Sequence, residues 1–460
     1  MLIHDIADYA LAERTRPLPD DIFHHAKRAV IDWCATTAPG SVLMPATGLI
    51  KALDEDVGRG TARLFPSGIP ATMRGAAVIN AAASHTVEFD DIFRDAIYHP
   101  GTATISSALA AAETTDSSGE DFLRAVIIGY EISTRIALVM GREHYRYWHN
   151  TATNGSFGAT AAVATVLKLN RDRFANAIGL AGTMAAGLQQ AFRADSHGKP
   201  MHSAHAAESG VLCAQSAAQG VTGALDILEG EVGYGAAMSK NCDWSIATRG
   251  LGEHYNITRM TFKNHACCGH AFAAIDAALA LRERHALKPR DIKGIRVGGY
   301  SATIDTCGSK RHSTPFEGKF SLAYLIATAI VHGSVRLGAF TDERLNDPVT
   351  ESLIHKVDLY LDPDIDATFP GARSARIQIE TLDGTLLEHF QPTRKGDPDM
   401  PFSDDDVSAK FTELVAPVTG DSVARALLER CWSLKTLGSV RALPMASPEI
   451  CESHHSHAGI

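Results

Sequence analysis

One stretch decides the fold class, SSGEDFLRAVIIGYEISTRIALVMG at residues 117–141, because it contains the start, the body and the end of a buried helix. Ser118 can accept a hydrogen bond from a free backbone N–H of the first turn, and Glu120 and Asp121 favour the positive end of a helix. Apolar residues follow at helical spacing, and Gly141 is the residue type that most often ends helices. The stretch therefore predicts a long, buried α-helix.

The rest of the first half of the chain has the same character. It is rich in alanine, and several of its segments are apolar on every side, which is typical of helices buried in a large core. The predicted helices cover 20–37, 70–86, 102–114, 119–141, 156–168, 172–190 and 204–219.

The pattern changes near residue 263. After one more Ala-rich helix come three β-branched stretches, IKGIRVGGY, KVDLYLDP and ARIQIETLDG, and a Pro-rich exit leads back to helical sequence near residue 403. We expect a mainly α protein. A large all-helical domain is formed by both chain ends, 1–262 and 400–460, and a smaller α+β lid domain, 263–399, is inserted between them.

Composition excludes several classes of protein. The 460 residues are 45% hydrophobic and 21% charged, which is typical of globular proteins, and the net charge of −10 is the wrong sign for a nucleic-acid binder. Apolar runs are too short to cross a membrane, and the first residues carry acids where a signal peptide would be basic. The eight cysteines form no CxxC pair. We therefore expect a cytoplasmic protein with reduced thiols and neither a nucleic-acid nor a membrane partner.

The first polar cluster that needs a function is HTVEFDDIFRDAIYHPG. Glu88, Asp90 and Asp91 lie within four residues, and carboxylates this close raise one another's proton affinity. His99 follows just before a Pro-Gly turn, which would hold its imidazole on a loop. The cluster suits acid–base chemistry, although a solvated helix end is an equal alternative.

The second cluster, HYRYWHNTATNGSFGATAAVA, places His149 before a buried helix. Free N–H groups at a helix N-terminus can bind a substrate carboxylate. Asn154 and Ser156 are equally well explained as ordinary capping residues.

The third cluster is FRADSHGKPMHSAHAAESG, where Lys199 precedes His202 and His205. The two histidines could share a helix face and bind a metal, but no HExxH pattern accompanies them. The fourth cluster, MTFKNHACCGHAFAAIDAA, brings Lys263, His265 and His270 to the predicted domain boundary. Clefts between domains are common ligand sites, although a structural role remains open for His270.

The chain has no dinucleotide-binding, P-loop, GxSxG or kinase motif. Its candidate groups are lysines, histidines and carboxylates. Such a set indicates cofactor-independent proton transfer on an anionic substrate, with cationic side chains binding the carboxylates.

Together, and in their order along the chain, these clusters resemble the MmgE/PrpD family, which includes 2-methylcitrate dehydratase, cis-aconitate decarboxylase and iminodisuccinate epimerase. The segments GYEISTR, VTGALDILEG and EGKFSLAY extend the resemblance over nearly the whole chain. The resemblance implies a helical domain with an inserted lid, a homodimer, an active site between the domains, and no metal or organic cofactor. It implies active-site roles for Glu88, His99, His149, Lys199 and Lys263, and a weaker one for Tyr324.

The sequence departs from the family pattern at two positions. EFDD is followed by Ile92 where Thr or Ser is usual, and Asn150 replaces the proline that usually follows the active-site histidine. The leading hypothesis is a lyase or isomerase acting on a small di- or tricarboxylic acid, most simply a dehydratase, with decarboxylation and epimerisation as alternatives. The predicted catalytic residues are Glu88, Asp91, His99, His149, Lys199 and Lys263, and the predicted substrate-binding residues are Asp90, His202, His270 and Tyr324.

Two hypotheses of other classes remain. A metal-dependent hydrolase would use His202, His205 and the EFDD acids, whereas a non-catalytic carboxylate-binding protein would explain Ile92 and Asn150. We expect no resident metal. The His-rich tail CESHHSHAGI is assigned no role.

Overall fold

A computed structural model describes residues 1–194 and 196–448, so the His-rich tail lies outside the described residues. The chain forms two compact units. Among the described residues, the first consists of Met1–Met260 and 403–448, and the second consists of Thr261–Phe402. The predicted domain limits were 262 and 400.

The first unit is built from helices, with one small antiparallel pair of strands, β1 (Val57–Arg63) and β2 (Pro70–Ala71). Its helices up to residue 260 are α1 (Leu2–Glu13), α2 (Asp20–Ser41), α3 (Ala46–Ala52), α4 (Met73–Thr86), α5 (Pro100–Thr115), α6 (Gly119–Tyr145), α7 (Asn150–Val166), α8 (Arg171–Met184), α9 (Gly198–Ala218), α10 (Tyr234–Met238) and α11 (Ser245–Thr248).

Helix α6 has the start predicted from its sequence, but Gly141, the predicted end, interrupts the helix instead of ending it. The Ser118 hydroxyl accepts a hydrogen bond from the Asp121 backbone N–H at 3.1 Å. Gly141 has φ +61° and breaks the helical backbone, and helical turns resume beyond it to Tyr145. Burial of this helix positions its neighbours α5 and α7.

Helix α7 lies at the centre of the first unit, and every one of its residues is buried. It packs against α5, α6 and α9, and small side chains allow the close approach. A Cβ on Gly158 would lie 2.6 Å from Thr104 Oγ1 and 2.9 Å from Ser133 Oγ. Because so little free space remains, the N-terminus of α7 has a fixed position.

Two helices begin earlier than the sequence indicated. Helix α7 begins at Asn150 rather than 156, and α9 begins at Gly198 rather than 204. The polar and Gly-containing stretches that resemble loops are the first turns of these helices, since packing against neighbours overrides weak local helix propensity. His149 is consequently the N-cap of α7, and Lys199 lies in the first turn of α9.

The second unit combines short helices with a four-stranded sheet. Its strands have the order β4-β3-β5-β6; β3 and β4 are parallel, and the other pairs are antiparallel. The three predicted strands are present, and β6 follows the Asp383-Gly384 turn. The elements are α12 (Phe272–His285), β3 (Ile292–Gly299), α13 (Ser301–Cys307), α14 (Pro315–Lys319), α15 (Leu322–His332), α16 (Asp342–Leu345), α17 (Pro348–Ile354), β4 (Val357–Leu361), α18 (Pro363–Thr368), β5 (Ala375–Thr381) and β6 (Leu386–Gln391).

The chain then returns to the first unit as α19 (Asp404–Thr419) and α20 (Asp421–Trp432). A capping box between Ser403 and Asp406 starts α19, which packs against α2. The mainly α fold class is confirmed. Within the described parts of the chain, none of the helices combines the length and apolar character that crossing a bilayer requires.

Candidate active site

The acidic cluster forms the connection between α4 and α5, and its backbone is strained at two places. Glu88 has φ +59° and Ile97 has φ +52°, the left-handed region that side chains with a Cβ rarely adopt. Each such residue costs on the order of 1–3 kcal/mol and persists only where the surroundings hold it. Strain of this kind concentrates at functional sites, and here it frames the segment from Glu88 to His99.

Asp90 lies between two histidines. Its Oδ2 atom is 2.8 Å from His85 Nδ1, as a hydrogen bond, and 2.9 Å from His99 Nδ1. All three side chains are buried, and the two imidazole rings meet edge to face at 4.9 Å. A carboxylate in this position fixes ring orientation and stabilises an imidazolium if either ring gains a proton. Asp90, predicted to bind substrate, is therefore placed to orient His99.

His149 connects this pair to α9. Its ring stacks on His85 at 5.6 Å, and its Nδ1 atom lies 3.0 Å from Nδ1 of His202. One of these two nitrogens must carry the proton and the other must accept it, so the two rings have different tautomers. The Nε2 atom of each ring is left for other partners.

Both of these histidines are held neutral. Burial, followed by the nearby His85, His202 and Lys199, lowers the pKa of His149 well below its ordinary value. Burial, followed by His85 and His205, lowers the pKa of His202 to about 4. At neutral pH both rings are uncharged, which is the state needed to accept a proton.

Lys199 supplies the positive charge of the site. Its ammonium forms an ion pair with the Glu88 carboxylate, and both residues are 8% exposed. Lys199 Nζ also lies 5.4 Å from the ring centre of Phe192, and the edge of the same ring meets His149 at 4.7 Å. Phe192 therefore fills the space between the cation and the imidazole.

Asp91, predicted to be catalytic, contacts a tyrosine and a backbone N–H. It accepts hydrogen bonds from the Tyr130 hydroxyl at 2.8 Å and from the Gly101 backbone N–H at 3.2 Å. Burial, followed by the charges of Asp32 and Asp90, raises the pKa of Asp91 to about 8. We therefore assign Asp91 to supporting the turn after His99.

Asn150 and Thr151 hold the same turn from α7. Asn150 donates its side-chain amide to the Ala96 carbonyl at 2.5 Å and accepts from Asn154 at 2.9 Å. Thr151 Oγ1 accepts from the His99 backbone N–H at 3.3 Å. Asn150, a departure from the family pattern, thus has a structural explanation.

Helix α19 also contacts the acidic segment, through Lys410. Lys410 is buried, and its ammonium lies 2.6 Å from Asp32 Oδ1 and 2.7 Å from the Phe89 carbonyl oxygen. The contact fixes the backbone between Glu88 and Asp90.

The remaining predicted residues belong to the second unit. Lys263 is 1% exposed there, and His270 Nδ1 lies 2.9 Å from the Tyr300 hydroxyl. Tyr324 is fully buried, and its hydroxyl donates to the Ala339 carbonyl. That bond gives Tyr324 a structural partner, and its contact with substrate stays a prediction.

The ligand atoms of His85, Asp90 and His99 all lie within 4.8 Å of one another, which is close enough to hold a metal ion. This set differs from the one in the metal hypothesis. His202 is paired with His149, and His205 Nε2 lies 3.1 Å from the Met184 carbonyl oxygen.

Sequence reasoning missed two residues of the site, His85 and Phe192. His85 lies in the quoted acidic cluster, and its spacing of five residues from Asp90 was the available signal. Phe192 carried no local signal, because its contacts arise only when the 3-10 turn at Gln189–Arg193 folds against α7.

Comparison with known proteins matches both parts of the chain to one family. Residues 4–247 match the MmgE/PrpD N-terminal domain, and residues 265–434 match the MmgE/PrpD C-terminal domain.

Three full-length relatives carry related names. The cis-aconitate decarboxylase-like protein oryM of Aspergillus oryzae is 27% identical, and the match covers 95% of each chain. The cis-aconitate decarboxylase of Aspergillus terreus is 24% identical over 96% of each chain. The cis-aconitate decarboxylase of Homo sapiens is 25% identical over 91% of this chain and 89% of its own.

Proposed function

Because the chain belongs to the MmgE/PrpD family, we propose that it is a lyase acting on a small di- or tricarboxylic acid by proton transfer between side chains and substrate, with no organic cofactor. One observation carries the proposal. A buried, neutral His149 lies in contact with His202 and His85, next to the buried Lys199 cation.

The side chains of the site have two roles, binding the substrate and transferring protons. Lys199, held in place by Glu88, supplies positive charge for a substrate carboxylate. In dehydration or epimerisation the neutral His149 accepts a proton from a carbon next to a carboxylate. In decarboxylation no C–H proton is removed: the electrons of the broken C–CO2 bond remain on the substrate as carbon dioxide leaves, and a protonated side chain of the site gives one proton to carbon. His99, oriented by Asp90, acts as the second proton-transfer group and gains stabilisation from that carboxylate when it is protonated.

We also propose that Lys263 and His270, which belong to the second unit, bind the substrate. They have the chemistry of the family pattern, and this assignment rests on that pattern alone.

Three reactions are open to this set of groups: loss of water, loss of carbon dioxide, and inversion of a stereocentre. The sequence alone favoured dehydration. The names of the relatives favour decarboxylation of a cis-aconitate-like acid. We therefore propose decarboxylation first and dehydration second.

Proton NMR in heavy water tests the reaction. The enzyme is incubated separately with cis-aconitate, citrate, 2-methylcitrate and iminodisuccinate, and His149→Ala serves as the inactive control. New terminal methylene signals with release of carbon dioxide indicate decarboxylation. New olefinic signals from citrate or 2-methylcitrate indicate dehydration, and deuterium uptake alone indicates epimerisation. No change with any of these acids contradicts the proposal.

A second candidate function is metal-dependent catalysis, favoured by the close approach of His85, Asp90 and His99. Elemental analysis of the purified protein tests it. About one zinc or iron per chain, lost together with activity on chelation, supports this alternative. Full activity in protein with less than one metal ion per ten chains refutes it.

A further inference from the structure

A cavity of about 310 Å³ lies in the first unit, formed by residues other than those of the candidate active site. It is bounded by the C-terminus of α1, the first turns of α6 and the C-terminus of α7. Its polar lining consists of Arg14, Thr15, Asp121, Arg124, Thr165 and Lys168.

This cavity and His149 occupy opposite ends of the same helix. His149 is the N-cap of α7, and Val166, its last residue, lines the cavity. Seventeen helical residues span about 25 Å at 1.5 Å per residue. The cavity is therefore separate from the catalytic groups.

Arg14 is the unusual member of the lining. Its Nε and Nη2 atoms are buried and have no hydrogen-bond partner among the described residues. Burial lowers the pKa of the Arg14 guanidinium. The Arg14 side chain is partly exposed, but its two buried N–H groups have lost their water, and buried donors of a cation are costly unless an acceptor compensates them.

The other two cations of the lining have partners. Arg124 donates to the Glu13 and Arg16 carbonyl oxygens at 2.8 and 3.0 Å and forms an ion pair with Glu120. Lys168 lies 4.0 Å from Asp121. The cavity therefore contains one guanidinium whose charge is unbalanced.

We propose that this cavity binds an oxyanion, a phosphate group or a polycarboxylate, with Arg14 as the principal cationic contact. The lining residues carry three positive charges and one negative charge, and because Glu120 pairs with Arg124, one positive charge is in excess and can be balanced by an anionic group. The Thr15 hydroxyl on the rim adds a further donor. The volume exceeds that of inorganic phosphate, so the natural ligand carries additional atoms.

Calorimetric titration and thermal unfolding of the full chain test the site, with inorganic phosphate and citrate as separate probes and chloride at matched ionic strength as the reference. The variants are Arg14→Gln and the matched control Arg59→Gln, which removes one exposed arginine from β1. We expect Arg14→Gln to weaken binding about 10- to 100-fold and Arg59→Gln to leave it unchanged. In anion-free buffer Arg14→Gln should unfold at the same temperature as wild type or higher, because it removes an uncompensated charge.

The probes identify the ligand class. Phosphate binding that depends on Arg14 assigns the site to phosphate groups, and citrate binding alone with the same dependence assigns it to polycarboxylates. Citrate binding that survives Arg14→Gln but is lost in Lys199→Met belongs to the active site and overturns the proposal. Absence of Arg14-dependent binding of either probe also overturns it. If Arg14→Gln fails to fold, Lys168→Gln, whose side chain is 73% exposed, provides the same comparison with a smaller expected loss.

Discussion

Replacing Asp91 by asparagine should stabilise the first unit increasingly as the pH rises. The folded-state pKa of Asp91 is raised from 3.8 to about 8 by burial and by the charges of Asp32 and Asp90. A group with a raised folded-state pKa contributes stability that is fully present below its unfolded pKa and lost as the pH approaches the folded one. Asparagine is neutral throughout and retains an acceptor for Gly101 and a partner for Tyr130.

The magnitude follows from these two values. Between pH 4 and pH 7 the unfolded carboxyl ionises while the folded one keeps its proton, and this difference costs the wild type about 1.4 kcal/mol per pH unit, about 4 kcal/mol in all. Relaxation around a buried charge reduces the figure. We expect the free energy of unfolding of Asp91→Asn to rise by about 2–4 kcal/mol relative to wild type between pH 4 and pH 7.

Urea unfolding followed by tryptophan fluorescence provides the assay. All four tryptophans, Trp33, Trp148, Trp244 and Trp432, lie in the first unit, so the signal reports on that unit. Wild type, Asp91→Asn and the exposed control Asp54→Asn are compared from pH 5 to pH 8. Parallel profiles for wild type and Asp91→Asn would refute a protonated Asp91. Loss of turnover in a stable Asp91→Asn protein would restore the catalytic role that the sequence suggested.

Three further outcomes are expected. Lys199→Met should lower kcat/KM at least about 100-fold and destabilise the protein by about 3–5 kcal/mol, because it removes the ammonium that forms an ion pair with the buried Glu88 carboxylate; the additional change Glu88→Gln should recover stability but not turnover, as steady-state kinetics and urea unfolding will show. The pKa values of His149 and His202 are lowered in the folded state, so below about pH 6.5 the unfolded state binds more protons than the folded one. The contribution of these two histidines to the free energy of unfolding should therefore fall from pH 6.5 towards pH 4. His202→Asn should make the urea midpoint depend less on pH over this range. Lys410→Met should lower the free energy of unfolding by about 3–5 kcal/mol and reduce turnover. Unchanged kinetics in the folded variant would show that catalysis does not depend on the contacts of Lys410.

The sequence predicted the fold class well because its signals were local. Ser118 and Gly141 mark the start and the break of α6, and alternating β-branched residues mark β3 and β5. Predictions were weakest where packing decides the structure. The first turns of α7 and α9 contain Asn, Gly and Pro, which have low helix propensity. Their sequence therefore does not predict the helical turns that tertiary contacts stabilise.

The sequence singled out candidate residues that lie together in the structure, but it could not assign their contacts. Glu88, His99, His149 and Lys199 are close to one another, as their shared chemistry suggested. Which carboxylate faces a histidine depends on backbone geometry that no spacing reveals. The left-handed conformation of Glu88 is one element of that geometry.

The contact between Lys410 and the Phe89 carbonyl also bears on how the protein is made. The two residues are 321 positions apart, and a ribosome adds about 5–20 residues per second. Lys410 is therefore synthesised roughly 16 to 64 s after the acidic segment whose backbone it holds. A nascent chain that ends before α19 has the residues of the site without the helix that holds them. Premature termination anywhere in the first 400 residues should thus yield no partly active fragment.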